Sequence, residues 1–150
     1  NAMYHLINER DVLMLTTCKH GALWKEMKDE RCDRDNVEYD KHDYVTLLRT
    51  STFCLVPRGR RLGTYRLLES LKYGCVPVLL SNGYVLPFSE FVDWSKAAIV
   101  ADENFLSQVP SMLREIPEQT VRKLRENGLV YYKKYFSSIK QIVSTALEVE

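Results

Sequence analysis

The sequence predicts an α/β fold, a parallel sheet flanked by helices. Three observations carry that prediction. Apolar runs of strand length lie at residues 11–18, 53–56, 75–80 and 97–100, and in the first the apolar residues are continuous rather than alternating, as a strand buried on both faces requires. Segments of helical character lie between them, and strands that alternate with helices wind into a parallel, doubly wound sheet. The chain has 150 residues and 45% hydrophobic content, enough for a real core, so one domain over residues 1–150 is expected.

The elements follow in order. Asp11-Val12-Leu13-Met14-Leu15-Thr16-Thr17-Cys18 reads as the first strand. Residues 19–43 are polar, charged and turn-rich, and read as a long loop of the kind that is functional or pinned down. Residues 44–49 read as a short helix leading into the strand at 53–56. The helix at 65–73 carries Leu67, Leu68 and Leu71 on one face and stops at Gly74. In the strand at 75–80, Pro77 places part of the strand at an edge or a bulge. Ser81-Asn82-Gly83 marks a turn, and residues 86–91 start a short helical piece. After the strand at 97–100, Asp102 caps a helix running toward Ile116, and Pro117 opens another through Tyr135. Residues 138–150 close the chain as an amphipathic helix. Trp24, Trp94, Tyr131, Tyr132 and Tyr135 read as core or interface.

A net charge of +1 supplies no global field for nucleic acid or an anionic membrane, so no nucleic-acid partner is expected and any basic site must be local. No apolar run approaches the roughly 20 residues needed to span a bilayer, and no signal-peptide pattern opens the chain. This segment is therefore expected to make no membrane contact, with any targeting element lying outside it. The opening Asn1-Ala2-Met3 reads as an expression scar or as native sequence of a longer protein.

The local basic site is the connection Pro57-Arg58-Gly59-Arg60-Arg61-Leu62-Gly63-Thr64, followed by Arg66. Arginines crowded into one βα connection of a nearly neutral chain call for an anion. Unpaired N–H groups and the dipole at a helix N-terminus favour one, and Gly59 and Gly63 permit close backbone approach. Arg66 stands against the helix dipole and precedes Glu69 in the less favourable order for an ion pair, so two local rules break at one spot. The competing reading is a solvated basic loop with a surface Arg66–Glu69 pair. The turn fits neither G-x-x-x-x-G-K-[ST] nor G-x-G-x-x-G, which sets aside an NTPase P-loop and a dinucleotide fingerprint. Guanidinium groups can instead grip a diphosphate bidentately and stay charged as it leaves. Glu69, one turn on, is placed to accept hydrogen bonds from two ribose hydroxyls. Phosphate and sugar readers side by side suggest a nucleotide.

The four cysteines, Cys18, Cys32, Cys54 and Cys75, contain no C-x-x-C pair, and with His5, His20 and His42 they do not form a structural zinc spacing. Three full pairings are open; Cys54 and Cys75 begin successive strands that can lie side by side. Two bridges would imply an oxidising compartment, while four inert thiols would fit the cytosol. Asp33-Arg34-Asp35 has the D-x-D form of a metal-binding element, but a solvated or salt-bridged loop is the preferred reading and no metal site is assigned. His20 beside Cys18 is a candidate ligand contact or a satisfied polar group. Tyr39 and Tyr44 are candidates to stack on a base, or simply to pack on the core.

Cys18-Lys19-His20-Gly21, Arg31-Cys32-Asp33-Arg34-Asp35-Asn36, Phe53-Cys54-Leu55-Val56-Pro57-Arg58-Gly59-Arg60-Arg61-Leu62-Gly63, Cys75-Val76-Pro77-Val78, and Ser81-Asn82-Gly83 with Leu86-Pro87-Phe88-Ser89-Glu90 resemble the exostosins, glycosyltransferase family 47. The likeness runs through Tyr135-Phe136-Ser137-Ser138. It implies a GT-B architecture of two Rossmann-like halves, of which this chain resembles the C-terminal, donor-binding half. It further implies transfer of glucuronic acid from UDP-glucuronic acid, with inversion and without a catalytic metal or other cofactor. The acceptor implied is the 4-hydroxyl of a terminal N-acetylglucosamine in a growing heparan sulfate chain. By matched position, Arg60 and Arg66 stabilise the leaving diphosphate, Arg58 joins them at the donor site and Glu69 takes the ribose. His20, Tyr39 and Tyr44 would line the same site. The resemblance also implies Cys18–Cys32 and Cys54–Cys75 disulfides and an exostosin-2-like heterodimer partner. The implied location is the Golgi lumen and endoplasmic reticulum, with the parent a type II membrane protein. The general base is expected outside this chain, so the fragment alone should be inactive. The alternative is a non-catalytic, glycosyltransferase-like subunit that stabilises a polymerase complex. Arg66 and Glu69, which the non-catalytic pattern lacks, are both present here.

Overall fold

Strands β1 (Phe53–Pro57), β2 (Val76–Leu80) and β3 (Ile99–Val100) form a parallel sheet in the order β1-β2-β3. This is the predicted α/β arrangement, consistent with a Rossmann-like glycosyltransferase half. The computed structural model describes residues 2–8 and 10–148; Asn1, and the last two residues of the helix expected at 138–150, lie outside that range. The chain divides into two compact units, Asn1–Leu47 and Leu48–Glu150.

In the second unit every residue of β2 is buried, which is why its sequence is continuously apolar. Helix α3 (Arg66–Tyr73) turns Leu67 and Leu71 into a core with Val56, Leu79, Val92, Trp94, Ala98 and Phe136. It ends at Gly74, whose φ of 75° is the left-handed conformation a glycine stop supplies. Helix α5 (Glu118–Tyr131) approaches α3 at Gly128, where a Cβ would lie 3.0 Å from Leu71 Cδ2. Trp94 and Tyr131, edge to face at 6.3 Å, and Tyr132 and Tyr135 pack on this core as expected. Asp102 caps as predicted, accepting from Asn104 N–H, although the capped segment is a 3-10 turn (Glu103–Gln108) before α4 (Val109–Arg114). Pro117 precedes α5, which passes into a π turn at Tyr132–Phe136.

Three expectations change here. Pro77 lies in the middle strand, not on an edge strand. Val76 N–H bonds Thr52 C=O on the β1 side, so alternation turns the Pro77 nitrogen toward β3, whose pairing begins only at Val78; the proline sacrifices no ladder bond. Residues 86–91 form turns rather than a helical piece, because Phe88 has φ 56° and a left-handed residue cannot continue a right-handed helix. Phe88 is held there by Phe91 and Phe136, each 5.6 Å away. Helix α6 (Ile139–Leu147) forms under a Ser138 cap, but Ile139, Val143 and Leu147 of its apolar stripe are exposed.

In the first unit, residues 12–20 adopt no regular structure, so the strand expected at 11–18 does not form. Among the described residues no strand pairs with it, and Leu13 is exposed. An apolar run becomes a strand only where a neighbouring backbone takes up its N–H and C=O groups. Side chains do that here in part: Asn8 Oδ1 accepts from the N–H groups of Arg10, Asp11 and Val12, and Asn36 Oδ1 from Cys18 N–H. Conversely, the loop expected at 19–43 contains helix α1 (Cys32–Asp40). Its residues are polar nearly all round, so periodicity conceals it; only Cys32 and Asn36, four apart, are buried. Helix α2 (Tyr44–Thr50) forms where a short helix was expected.

Candidate functional site

Two disulfides are present, Cys18–Cys32 and Cys54–Cys75, with Cα atoms 5.6 and 5.8 Å apart. The first anchors the unladdered segment to the first residue of α1. Asn36 completes the joint: its amide nitrogen lies 3.2 Å from Cys18 Sγ and its oxygen accepts from Thr17 Oγ1 at 2.8 Å. This buried Asn36 was not singled out in the sequence; its helical spacing from Cys32 was the available signal. Asp33 and Asp35 stand in the first turn of α1, where carboxylates complement the dipole. Asp33 accepts from Lys28 Nζ at 2.6 Å and Asp35 from Thr16 Oγ1 at 3.0 Å. Their placement is that of helix-start carboxylates.

The remaining candidates of this unit sit at its surface. His20 is exposed, its N–H bonding Cys18 C=O at 2.7 Å. The Lys19–Asp40 pair, at 2.6 Å, ties this stretch to the end of α1 that carries Tyr39. Tyr39 and Tyr44 are 37% and 39% exposed, enough for a ring face to meet a ligand.

In the second unit the arginine turn springs from the carboxyl end of β1. Arg58 N–H bonds Leu80 C=O at 3.2 Å, so parallel pairing extends one residue past the strand before the chain leaves the sheet. Arg58, Arg60, Arg61 and Arg66 are all exposed, and none forms an ion pair among the described residues. The surface Arg66–Glu69 pair of the competing reading is therefore not made. Thr64 occupies much of the start of α3: its Oγ1 and its carbonyl each accept at 3.4 Å, from Arg66 N–H and Leu67 N–H. Anion capacity thus resides chiefly in the guanidinium groups rather than in free helix N–H groups. Glu69 is half-buried in the first turn of α3, on the helix that carries Arg66.

The turn after β2 supports the arginine turn. Ser81 Oγ donates to Leu62 C=O at 3.0 Å, and Gly63 faces the phenol of Tyr84 so closely that a Cβ would lie 3.0 Å from its oxygen. Burial holds the Tyr84 phenol above its ordinary range, so it stays a neutral hydroxyl. Tyr84 also lines, with Leu86, Ser89, Val92 and Trp94, a hollow of about 440 Å³. Among the described residues no cluster of three or more metal-ligating side chains is found.

A match to the exostosin GT47 domain covers residues 4–116. The chain belongs to the exostosin GT47 family. It is 55% identical to Exostosin-1 of Drosophila melanogaster and Exostosin-1b of Danio rerio, and 54% identical to Exostosin-1 of Mus musculus. Each comparison spans 149 residues, 99% of this chain but 20% of the relative's length. Within the exostosin GT47 framework, a glycosyltransferase family, the arginine turn falls inside the matched domain. No described helix is long and apolar enough to cross a membrane.

Proposed function

We propose that this chain supplies the donor-binding half of a GT-B, inverting, UDP-sugar-dependent glycosyltransferase of heparan sulfate synthesis. One observation carries the reading: four exposed arginines, none in an ion pair among the described residues, stand in the turn that leaves the carboxyl end of β1 and at the start of α3, where open parallel sheets bind ligands. The donor is UDP-glucuronic acid. The 4-hydroxyl oxygen of a terminal N-acetylglucosamine attacks the sugar's anomeric carbon, and the bond from that carbon to the diphosphate oxygen breaks. The hydroxyl proton passes to a general base outside this chain, and the bonding electrons leave with UDP. Arg58, Arg60 and Arg66 hold the diphosphate, and Arg60 and Arg66 meet the charge that grows on it. Glu69 takes the ribose. The working enzyme contains an exostosin-2-like partner and resides in the Golgi and endoplasmic reticulum, an oxidising location that the two disulfides fit.

Charge-assisted hydrogen bonds support the test. In calorimetry with UDP on the full-length protein, Arg66→Ala or Glu69→Ala should weaken binding about ten- to a hundredfold without unfolding it. Arg66→Lys should recover only part, because an ammonium lacks the planar fork. Parent-like affinity in both alanine variants would discard the donor site and favour the non-catalytic subunit. Because arginines neutralise the diphosphate, transfer should persist in excess EDTA; metal dependence abolished by Asp33→Ala or Asp35→Ala would reverse that view.

A further inference from the structure

The loops that leave the three strands at their carboxyl ends are joined in series. Asn82 Nδ2 donates to Asp102 Oδ1 at 2.7 Å, and Asn82 and Glu103 exchange backbone-to-side-chain bonds of 3.2 and 3.3 Å. The turn after β2 is thereby fastened to the cap after β3. From that turn, Ser81 and Tyr84 reach the arginine turn after β1. Ser81 is buried, and its hydroxyl fixes Leu62 C=O, one residue before Gly63. Tyr84 packs on the core cluster, so its ring is braced from behind and presents a firm wall to Gly63. Arg60 and Arg61 precede these contacts and Arg66 follows them, so both ends of the basic segment hinge on residues 62 and 63.

We infer that Ser81 and Tyr84 are positioning residues which hold the arginine turn in its diphosphate-binding shape, an inference that rests on the donor-site reading above. Exposed arginines on a wandering loop would lose binding free energy to ordering each time a ligand arrived; a loop clamped at its midpoint has met that cost beforehand. Gly63 is required because any side chain there would displace the loop from the Tyr84 wall.

Calorimetry with UDP on the full-length protein, with thermal unfolding recorded in parallel, provides the test. Ser81→Ala should weaken UDP binding about three- to tenfold at nearly parental Tm, the range expected for losing one net hydrogen bond. Gly63→Ala should weaken it by about tenfold or more. Tyr84→Phe removes the oxygen nearest the new methyl but keeps the ring carbons at 3.2 and 3.3 Å, so the double variant Gly63→Ala/Tyr84→Phe should regain part of the lost affinity, a rescue that general destabilisation would not produce. Parental affinity in both Ser81→Ala and Gly63→Ala, with Arg66→Ala still impaired, overturns the inference and leaves the donor site standing. Parental affinity in both Arg66→Ala and Glu69→Ala overturns the donor site and the inference together. If Gly63→Ala fails to fold, Ser81→Ala decides alone.

Discussion

Among the described residues of the first unit, Leu6 and Cys32 are the only buried hydrophobic side chains, whereas the second unit buries an eight-residue cluster around β2 and α3. The first is held by a disulfide, an asparagine hub and side-chain bonds to backbone; the second by sheet pairing and packing. Side-chain joints are individually replaceable yet few, so each governs a whole segment. A packed core shares its load among neighbours but penalises any void. The contrast also separates the candidate site residues: His20, Tyr39 and Tyr44 belong to the joint-held unit, and the arginines and Glu69 to the core-built one.

Removing core volume should have the largest effect. Leu71 is 1% exposed and lies directly beneath Gly128, so Leu71→Ala should cost about 2–5 kcal/mol in urea unfolding of the full-length protein. A loss under 1 kcal/mol would break the comparison by showing that the second unit does not depend on its core. Next comes the joint. Cys18→Ala/Cys32→Ala opens a loop of sequence separation 14 and should cost about 2–4 kcal/mol. Limited proteolysis should then cut first within residues 12–31. First cuts inside residues 53–80 would break the comparison by showing that the first unit does not depend on this disulfide.

The smallest effect sharpens the comparison, because it tests a side-chain joint inside the core-built unit. The Asn82 amide, and then Asn104 N–H, hold the Asp102 carboxyl below its ordinary value of 3.8. A folded-state pKa that is lowered stabilises above the unfolded value and loses that contribution as pH falls through the folded one. The Tm difference between the parent and Asp102→Asn should therefore be widest above about pH 5 and shrink as the pH drops below 3.8. A difference constant across that range would show that the cap does not depend on the carboxylate's charge.

Much of the second unit was legible along the chain. β1, α3 and its stop at Gly74, the Asp102 cap and the position of the arginine turn at a strand's carboxyl end all follow from signals within a few residues of each element. The disulfide pairing was legible only through the family likeness, since spacing left three pairings open. The first unit was misread in both directions, as a strand at 11–18 and a loop at 32–40. A strand needs a neighbour that local sequence does not specify, and a polar helix pinned by one cystine carries no apolar period.

Where the charge stands is written along the chain: arginines at 58, 60, 61 and 66, glycines at 59 and 63, and a helix opening beside them. Folding alone brings Gly63 against Tyr84 and Leu62 to Ser81, sets Pro77 in a stretch of the middle strand not paired to β3, and gives Phe88 its left-handed turn. The reason is the range of the forces involved. Propensity, capping and charge act between near neighbours in the chain and leave a local signature, whereas packing and strand pairing join residues some twenty positions apart and appear only when the sheet has closed.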